Sequence, residues 1–286
     1  RSRNSRMRFP RRSARNTDTY LAEADEVMQN VSRTFSVASR LLPVTVRRDV
    51  TLLYLVLRTL DDLVDEQNPE AAAAVAAVET WLVTGEPTTR ETIILDDLSN
   101  RHSLPRYAVV AFLQGMRDDL EVPNIQTEGD LDVYCYRVAG AVGEMMASIL
   151  GVWNDQAWNA ARALGNAMQR TNILRDVDED LANGRVYLAC DTLERLGITD
   201  LATQDRTELY RDQIARADTL YAQGMAGIPM LIHGGRSVAA AGAMYREILR
   251  EIERGGYGAR RERSVVPRHR KALLVGHAFA RPGRWS

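Results

Sequence analysis

Two clusters of oxygen-bearing side chains have the types and the spacing to do chemistry. Asp61 and Asp65 are four residues apart, and about 110 residues later Asn172, Asp176 and Asp180 repeat the same spacing. Residues four apart on a helix lie on one face. Each cluster therefore predicts a polar stripe along one side of a helix.

Cation binding is the chemistry that such stripes suit. Carboxylates four apart repel each other and weaken a helix by a few tenths of a kcal/mol, and burial without partners costs far more. A ligand set of oxygens without His or Cys favours Mg²⁺, with Mn²⁺ as an alternative, and Mg²⁺ takes further ligands from phosphate and water. Two facing stripes with arginines nearby predict a metal–diphosphate clamp. The competing interpretation is two acidic faces exposed to solvent.

Helical periodicity of apolar residues dominates the rest of the chain, and no alternating strand pattern of useful length is present. The predicted helices cover residues 17–39, 47–66, 71–83, 107–120, 128–150, 155–182, 203–225, 237–254 and 267–278. Without an internal repeat or a low-complexity linker, we predict one all-α domain over residues 17–286, with helices packed around a central cavity. Residues 1–16, rich in Arg, are expected to form a disordered basic tail.

Composition excludes some classes of protein. The formal net charge is −1 and aromatic residues make up 6% of the chain, which argues against a nucleic-acid partner. No run of about 18 apolar residues predicts a transmembrane helix. Cys135 and Cys190 have neither disulfide nor zinc spacing, so a cytoplasmic location is expected. Contact of the basic tail with an anionic membrane is an alternative to a merely solvated tail.

The two motifs and their surroundings resemble the squalene synthase/phytoene synthase family of trans-prenyltransferases. The similarity extends from about residue 20 to residue 274, and its motifs occur in the family's order. The segments that carry it are 32–35, 41–43, 54–65, 134–144, 169–180, 184–188, 245–249 and 256–257. The resemblance implies an isoprenoid synthase-type helical bundle around a central cavity.

The resemblance also implies roles for individual residues. The implied metal ligands are Asp61, Asp62 and Asp65 on one side and Asn172, Asp176 and Asp180 on the other. The implied contacts to substrate diphosphate are Ser32, Arg33, Thr34, Arg58, Gln169, Asn172, Arg175 and Arg185. Tyr134 and Tyr245, with the aspartates Asp61, Asp65, Asp176 and Asp180, are implied to be catalytic.

The implied reaction is the ionisation of an allylic prenyl diphosphate followed by carbon–carbon bond formation. In its main form, two farnesyl or geranylgeranyl diphosphates condense head to head to a squalene-like or phytoene-like product. Two alternatives stay open: transfer of the prenyl group to a small aromatic or other non-isoprenoid acceptor, and a non-catalytic helical scaffold. Residues 54–60 are more similar to squalene synthases and residues 184–188 to phytoene synthases, whereas Arg170 stands where bacterial members often have leucine.

Overall fold

Helices account for the regular structure of the described residues, and the prediction of an all-α fold is confirmed. The computed structural model describes residues 17–31, 33–121, 124–260, 263–267, 269–271, 273, 274 and 276, with no side-chain description at 31 and 33–35. The helices are α1 (Leu21–Val31), α2 (Arg33–Ser39), α3 (Val44–Asp65), α4 (Ala71–Thr84), α5 (Arg90–His102), α6 (Arg106–Asp119), α7 (Glu128–Cys135), α8 (Ala141–Leu150), α9 (Gln156–Ala182), α10 (Cys190–Arg195), α11 (Thr207–Ala226) and α12 (Gly235–Arg254).

Most predicted helices are present, with shifted ends. The predicted 17–39 helix corresponds to a 3₁₀ turn followed by α1 and α2, and Ser32 between them lies outside the described residues. Helices α5 and α10 were not predicted. The basic tail 1–16 lies wholly outside the described residues, and the predicted helix 267–278 is described only in part. No described helix is long and apolar enough to cross a membrane.

Helix α3 presents its first acidic stripe at its C-terminal end. Pro43 (φ −53°) precedes its first residue, and Gln67 adopts a left-handed φ of +52° just beyond its end. The apolar face is fully buried, as at Leu52, Leu53 and Leu60. Because burial fixes which side of α3 faces the core, it also fixes the direction of the stripe.

Helix α9 carries the second stripe and packs against α8, α11 and α12. Ile173, Leu174 and Val177 are buried on its packing side. Gly165 lets the helix approach the backbone of Ala139 so closely that a Cβ atom would collide with the Ala139 carbonyl. This close contact fixes the position of α9 against the segment around Ala139.

The predicted helix 128–150 is interrupted by a π-helical segment at Tyr136–Gly140. Hydrophobic spacing does not distinguish one wide turn from a regular one, so the sequence did not indicate it. π segments inside α-helices often occur at functional sites. Here the segment brings Val138 and Ala139 to the wall of the central cavity.

Candidate active site

Both acidic stripes line one cavity of about 730 Å³ that lies between the helices and opens to solvent. Asp61 and Asp65 reach it from α3, and Asn172, Asp176 and Asp180 reach it from α9. The alternative of two unrelated solvent-facing stripes required them to lie on different surfaces. Instead, residues of both stripes line the same cavity, which favours the clamp over that alternative.

Mutual repulsion and burial disfavour the charged forms of these carboxylates. Burial, followed by the nearby charge of Asp65, raises the pKa of Asp61 to about 7. Burial, followed by the charges of Asp176 and Glu179, raises the pKa of Asp180 to about 7. Burial also raises the pKa of Asp65, against the opposing effect of Arg185. The cavity therefore holds acidic groups whose charge is not fully compensated by the protein.

Oxygen donors and uncompensated charge fit a divalent cation at each stripe. The buried Oδ1 of Asn172 has no hydrogen-bond partner among the described residues, while its Nδ2 donates to Gln169 Oε1 at 3.2 Å. In the described part of the chain, no three His, Cys, Asp or Glu side chains converge to hold a metal ion. This arrangement suits Mg²⁺, which binds one or two carboxylates and completes its shell with phosphate and water.

Arginines surround the carboxylates and point into the same space. Arg58 pairs with Asp61 at 2.7 Å, and its buried Nε has no partner within the described structure. Arg175 pairs with Asp176 at 2.5 Å. Arg185 reaches Asp65 at 3.5 Å. Guanidinium groups bind phosphate oxygens through charge-assisted, forked hydrogen bonds.

Tyr134 and Tyr187 share one carboxylate acceptor in the cavity wall. The hydroxyl of Tyr134 donates to Asp119 at 3.1 Å, and that of Tyr187 donates to the same carboxylate at 3.2 Å. The two rings stack with centroids 5.0 Å apart. Burial raises the pKa of Asp119 to about 6 although both hydroxyls oppose the shift. Burial likewise raises the pKa of Tyr134 well above its usual value.

Beyond the polar groups, the cavity wall is apolar. Its aliphatic and aromatic lining includes Leu42, Val50, Leu57, Phe112, Val142, Met146, Leu150, Leu164, Met168, Ile228, Leu231 and Val238. Tyr245 from α12 also lines the cavity, and burial raises its pKa. The site thus joins an acidic, arginine-rich region to a hydrocarbon-lined space, which suits a molecule with a diphosphate head and an apolar tail.

The structure brings most of the predicted site residues together. Those that line the cavity are Arg58, Asp61, Asp65, Tyr134, Gln169, Asn172, Arg175, Asp176, Asp180, Arg185 and Tyr245. Asp62 is not among the lining residues and instead pairs with Arg58. Its side chain is one helical position, or about 100°, away from that of Asp61. The predicted ligand role of Asp62 is therefore not supported by its position. Ser32 and the side chains of Arg33 and Thr34 lie outside what the structure describes.

Several cavity residues were not predicted, and three of them contact the predicted site residues directly. Asp119 ends α6 and follows Asp118, so the sequence shows only an adjacent acidic pair. Tyr187 lies in the resembling segment 184–188 but was not singled out. Arg263 lies far along the chain in a segment without a motif, yet its Nε is 3.0 Å from Asp176 Oδ1.

Comparisons with known proteins agree on one family. The family model for squalene/phytoene synthase matches residues 28–270. The phytoene synthase of Thermus thermophilus is 36% identical over 261 residues, which cover 88% of this chain and 90% of that protein. The chloroplastic phytoene synthase 3 of Zea mays is 32% identical over 275 residues, or 90% of this chain and 64% of that longer protein.

The fold has a close counterpart among solved structures. A dehydrosqualene synthase in complex with ligand superposes with a TM-score of 0.83 at 27% identity, covering 92% of this chain and 96% of that one. Sequence and fold thus lead to the same assignment. The chain belongs to the squalene/phytoene synthase family and is a prenyltransferase.

Proposed function

We propose that this protein condenses two prenyl diphosphates head to head in a reaction that requires Mg²⁺. In this proposal the substrate is geranylgeranyl diphosphate and the product is a phytoene-like hydrocarbon. The observation that carries the proposal is that both acidic stripes line one cavity whose remaining wall is mainly apolar. The names of the relatives at 32% and 36% identity support a phytoene-like product over a squalene-like one.

The carboxylates and arginines would act on the leaving diphosphate. Asp61 and Asp65 would hold Mg²⁺ on one side, and Asn172, Asp176 and Asp180 on the other. Mg²⁺ bound there would supply positive charge to the diphosphate as its bond to carbon breaks. Mn²⁺ has the same ligand preferences and would serve as a substitute.

Arginines would complete the binding of the diphosphate. Arg58, Arg175 and Arg185 line the cavity and already pair with its carboxylates, so they would need little reorganisation to reach phosphate oxygens. Preorganised donors of this kind stabilise charge that develops in the transition state. The same groups keep the carboxylates partly neutralised before substrate arrives.

The apolar wall would protect the carbocation that ionisation leaves behind. Water quenches such a cation, so the reaction needs a dry cavity. C1 of one prenyl group then bonds to the C2=C3 double bond of the other, and a cyclopropylcarbinyl diphosphate forms as a proton passes to the released diphosphate. Departure of the second diphosphate lets the carbon skeleton rearrange, and loss of a second proton gives the neutral phytoene-like hydrocarbon. The hydroxyls of Tyr134 and Tyr187 donate to Asp119, which holds both rings in the cavity wall, where they would lie beside the reacting carbons. An aromatic face in that position stabilises positive charge.

Product analysis tests the proposal directly. The protein is incubated with C10, C15 or C20 prenyl diphosphate alone, with Mg²⁺ or with EDTA, and with and without NADPH. A C40 hydrocarbon formed from the C20 substrate only with Mg²⁺ is expected. Hydrocarbon from the C15 substrate alone would assign a squalene-like product instead. Consumption only when an aromatic acceptor is added would assign the acceptor reaction.

A matched pair of variants tests the site. Asp61→Asn removes one negative charge from the cavity, whereas Asp212→Asn removes one from an ion pair on α11 with Arg195 and Arg216. We expect the first to lower diphosphate release at least about a thousandfold, because it disrupts metal binding and charge stabilisation together. The second should leave release within a factor of about two, because surface ion pairs contribute little. Unchanged release in Asp61→Asn would mean that the catalytic site lies elsewhere, whereas absence of release by the parent protein would favour the scaffold.

A further inference from the structure

The π-helical segment between α7 and α8 forms part of the cavity wall. The backbone N–H of Ala141 donates to the Tyr136 carbonyl, five residues earlier, which is one residue more than in an α-helix. Val138 and Ala139 within the segment line the cavity, and Val142 lines it just beyond. The wide turn therefore decides where these apolar side chains stand in the hydrocarbon-lined space.

A buried carboxylate holds this segment from outside the cavity. Glu144 on α8 is fully buried, and its Oε2 accepts from the Tyr136 hydroxyl at 3.2 Å. Its Oε1 accepts from Arg162 of α9, through Nη2 at 2.8 Å and through Nε at 3.2 Å. The Arg162 guanidinium also lies over the Tyr136 ring, 4.8 Å from its centroid. We call Tyr136, Glu144 and Arg162 the Glu144 clamp.

The clamp spans the wide turn. Tyr136 is the first residue of the π-helical segment, and Glu144 lies beyond the end of the segment, on α8. Their hydrogen bond therefore joins the start of the turn to the helix that follows it. Burial raises the pKa of Tyr136 above its usual value, so the hydroxyl keeps its proton and remains the donor. Arg162 ties both residues to α9.

Close packing beneath the clamp disfavours this arrangement unless other contacts stabilise it. A Cβ atom at Gly140, the last residue of the segment, would lie 2.3 Å from Asn166 Oδ1 and 3.2 Å from Arg162 Cγ. The buried Oδ1 of Asn166 has no hydrogen-bond partner in the described part of the chain. A buried oxygen without a partner lowers stability. The ion pair and the hydrogen bond of the clamp offset that loss.

The clamp lies beside the hydrocarbon part of the cavity and away from the second acidic stripe. None of its three residues lines the cavity, whereas Ala161 and Gly165 on either side of Arg162 do. Asn172, the first residue of the second stripe, follows ten positions after Arg162, which is about 15 Å along a helix. A change in the clamp should therefore act on the apolar wall and leave the second stripe in place.

We propose that the Glu144 clamp positions the wall against which the prenyl chain of the substrate lies. The proposal rests on the proposed function, because that function assigns the apolar part of the cavity to the prenyl chain. By holding the wide turn, the clamp fixes Val138 and Ala139, so this wall is formed before the substrate arrives and need not become ordered on binding. Glu144 is thus a positioning residue that contacts neither the diphosphate nor the reacting carbons.

Hydrogen exchange tests the clamp without substrate. Glu144→Gln keeps the size of the side chain but removes the charge that pairs with Arg162, and Tyr136→Phe removes only the hydroxyl. We expect amide exchange over residues 136–143 to be at least about tenfold faster in each variant, because the wide turn opens more often without a hydrogen bond to a charged group. Exchange over residues 170–180 should match that of the parent protein.

Binding of an unreactive substrate analogue tests the effect on the prenyl chain. The analogue is geranylgeranyl thiolodiphosphate, in which sulfur replaces the oxygen between carbon and phosphorus. It is titrated by calorimetry in the presence of Mg²⁺, and inorganic pyrophosphate is titrated in parallel. We expect Glu144→Gln to weaken binding of the analogue about tenfold, because the wall must then become ordered on binding. Pyrophosphate has no prenyl chain, so its binding should stay within a factor of about two.

Asp97→Asn is the matched control. Asp97 on α5 is 1% exposed and pairs with Arg101 at 2.7 Å. Like Glu144 it is a buried carboxylate with an arginine partner, but no residue of α5, which the structure describes in full, lines the cavity. Asp97→Asn should lower the midpoint of chemical denaturation about as much as Glu144→Gln does, and it should bind the analogue as the parent protein does. This control separates an effect on the cavity wall from a general loss of stability.

Three outcomes would overturn the proposal. The first is exchange at the parent rate over residues 136–143 in both variants. The second is binding of the analogue by Glu144→Gln with the parent affinity. The third is an equal loss of affinity for pyrophosphate, which would assign the effect to the diphosphate end. If the parent protein forms no hydrocarbon from any substrate, the proposed function fails, whereas hydrogen exchange and analogue binding still decide whether the clamp positions the wall.

Discussion

Arg185 and Asp65 form an ion pair across the mouth of the cavity, with 3.5 Å between Nη1 and Oδ1. Arg185 follows α9, which carries the second stripe, and Asp65 is the last residue of α3, which carries the first. The pair therefore joins the two motifs directly. It also lowers the repulsion that Asp65 experiences from neighbouring carboxylates.

Replacing Arg185 should weaken diphosphate binding more than it weakens the fold. Arg185→Gln removes a cation that can move from Asp65 to a phosphate oxygen, and a charge-assisted hydrogen bond of this kind contributes about 1.5–3 kcal/mol. We therefore expect kcat/KM for the prenyl diphosphate to fall about tenfold to a hundredfold. Steady-state kinetics at saturating Mg²⁺ measures the effect.

The matched control is Arg211→Gln on α11. Arg211 pairs with Glu208 on the protein surface, away from the cavity. Its loss should change kcat/KM by less than a factor of about two. Equal effects of the two substitutions would show that Arg185 does not contact the substrate.

The stability of the metal-free protein should depend on pH through Asp61 and Asp180. The pKa of each is raised from 3.8 to about 7 in the folded protein. A folded state with the higher pKa binds more protons, so stability rises as pH falls from about 7 towards 4 and is lost as pH rises through 7. Thermal unfolding between pH 5 and pH 8 in EDTA measures the trend.

Two comparisons isolate the contribution of the cavity. In Asp61→Asn/Asp180→Asn the neutral amides do not titrate, so this variant should be more stable than the parent at pH 8, with the difference shrinking towards pH 5. Addition of Mg²⁺ with inorganic pyrophosphate should reduce the pH dependence of the parent, because bound cations favour the charged carboxylates. A constant difference between parent and variant over this range would contradict the raised pKa values.

The stripes could be predicted from the sequence because helix geometry alone places residues four apart on one face. The residues that lie opposite the stripes could not be predicted from the sequence. Asp118 and Asp119 are adjacent in sequence, but successive helix positions differ by about 100°. Asp118 pairs with Arg137, whereas Asp119 turns into the cavity to accept from Tyr134. Only the packing of α6 against its neighbours decides which of the two enters the site.

Helix α5 was not predicted from the sequence for a related reason. Two of its buried residues are acidic, and these interrupt the apolar pattern. Asp96 accepts from the Trp81 indole at 3.3 Å, and Asp97 accepts from Thr17 at 2.8 Å and Arg101 at 2.7 Å. Because their partners come mainly from other elements, a periodicity analysis scores these positions as exposed.

Tyr134→Phe should reduce turnover while leaving the protein folded. The substitution keeps the ring that stacks on Tyr187 but removes the hydroxyl that donates to Asp119. We expect diphosphate release to fall about tenfold, because the ring loses the hydrogen bond that orients it in the cavity wall. Loss of one buried hydrogen bond should lower the free energy of unfolding by about 1 kcal/mol.

Tyr221→Phe is the control because it makes the same chemical change at a position outside the cavity. Tyr221 is fully buried on α11, and its hydroxyl bonds to that of Thr171 at 2.9 Å. Tyr221→Phe should lower the free energy of unfolding by as much as Tyr134→Phe does. Its rate of diphosphate release should stay within a factor of about two of the parent rate. If both variants lost turnover equally, the hydroxyl of Tyr134 would have only a structural role.

Arg170 is expected to stabilise the fold without taking part in the reaction. Its guanidinium is almost fully buried and donates to Gln213 at 2.7 Å, Glu128 at 2.9 Å and Asp132 at 2.7 Å. The network ties α7, which carries Tyr134, to α9 and α11. Arg170→Leu would leave Glu128 without its buried partner, so we expect a loss of about 3 kcal/mol in the free energy of unfolding.

Chemical denaturation and kinetics together test this assignment. Arg216→Gln, which removes a more exposed arginine 3.9 Å from the same Glu128, should cost less than about 1 kcal/mol. Below the unfolding transition, Arg170→Leu should retain kcat within a factor of about three, because Arg170 does not line the cavity. Adding Glu128→Gln to Arg170→Leu should recover part of the lost stability, because the unpaired charge is gone. A large loss of kcat in a fully folded Arg170→Leu protein would instead show that this network sets the position of Tyr134 for the reaction.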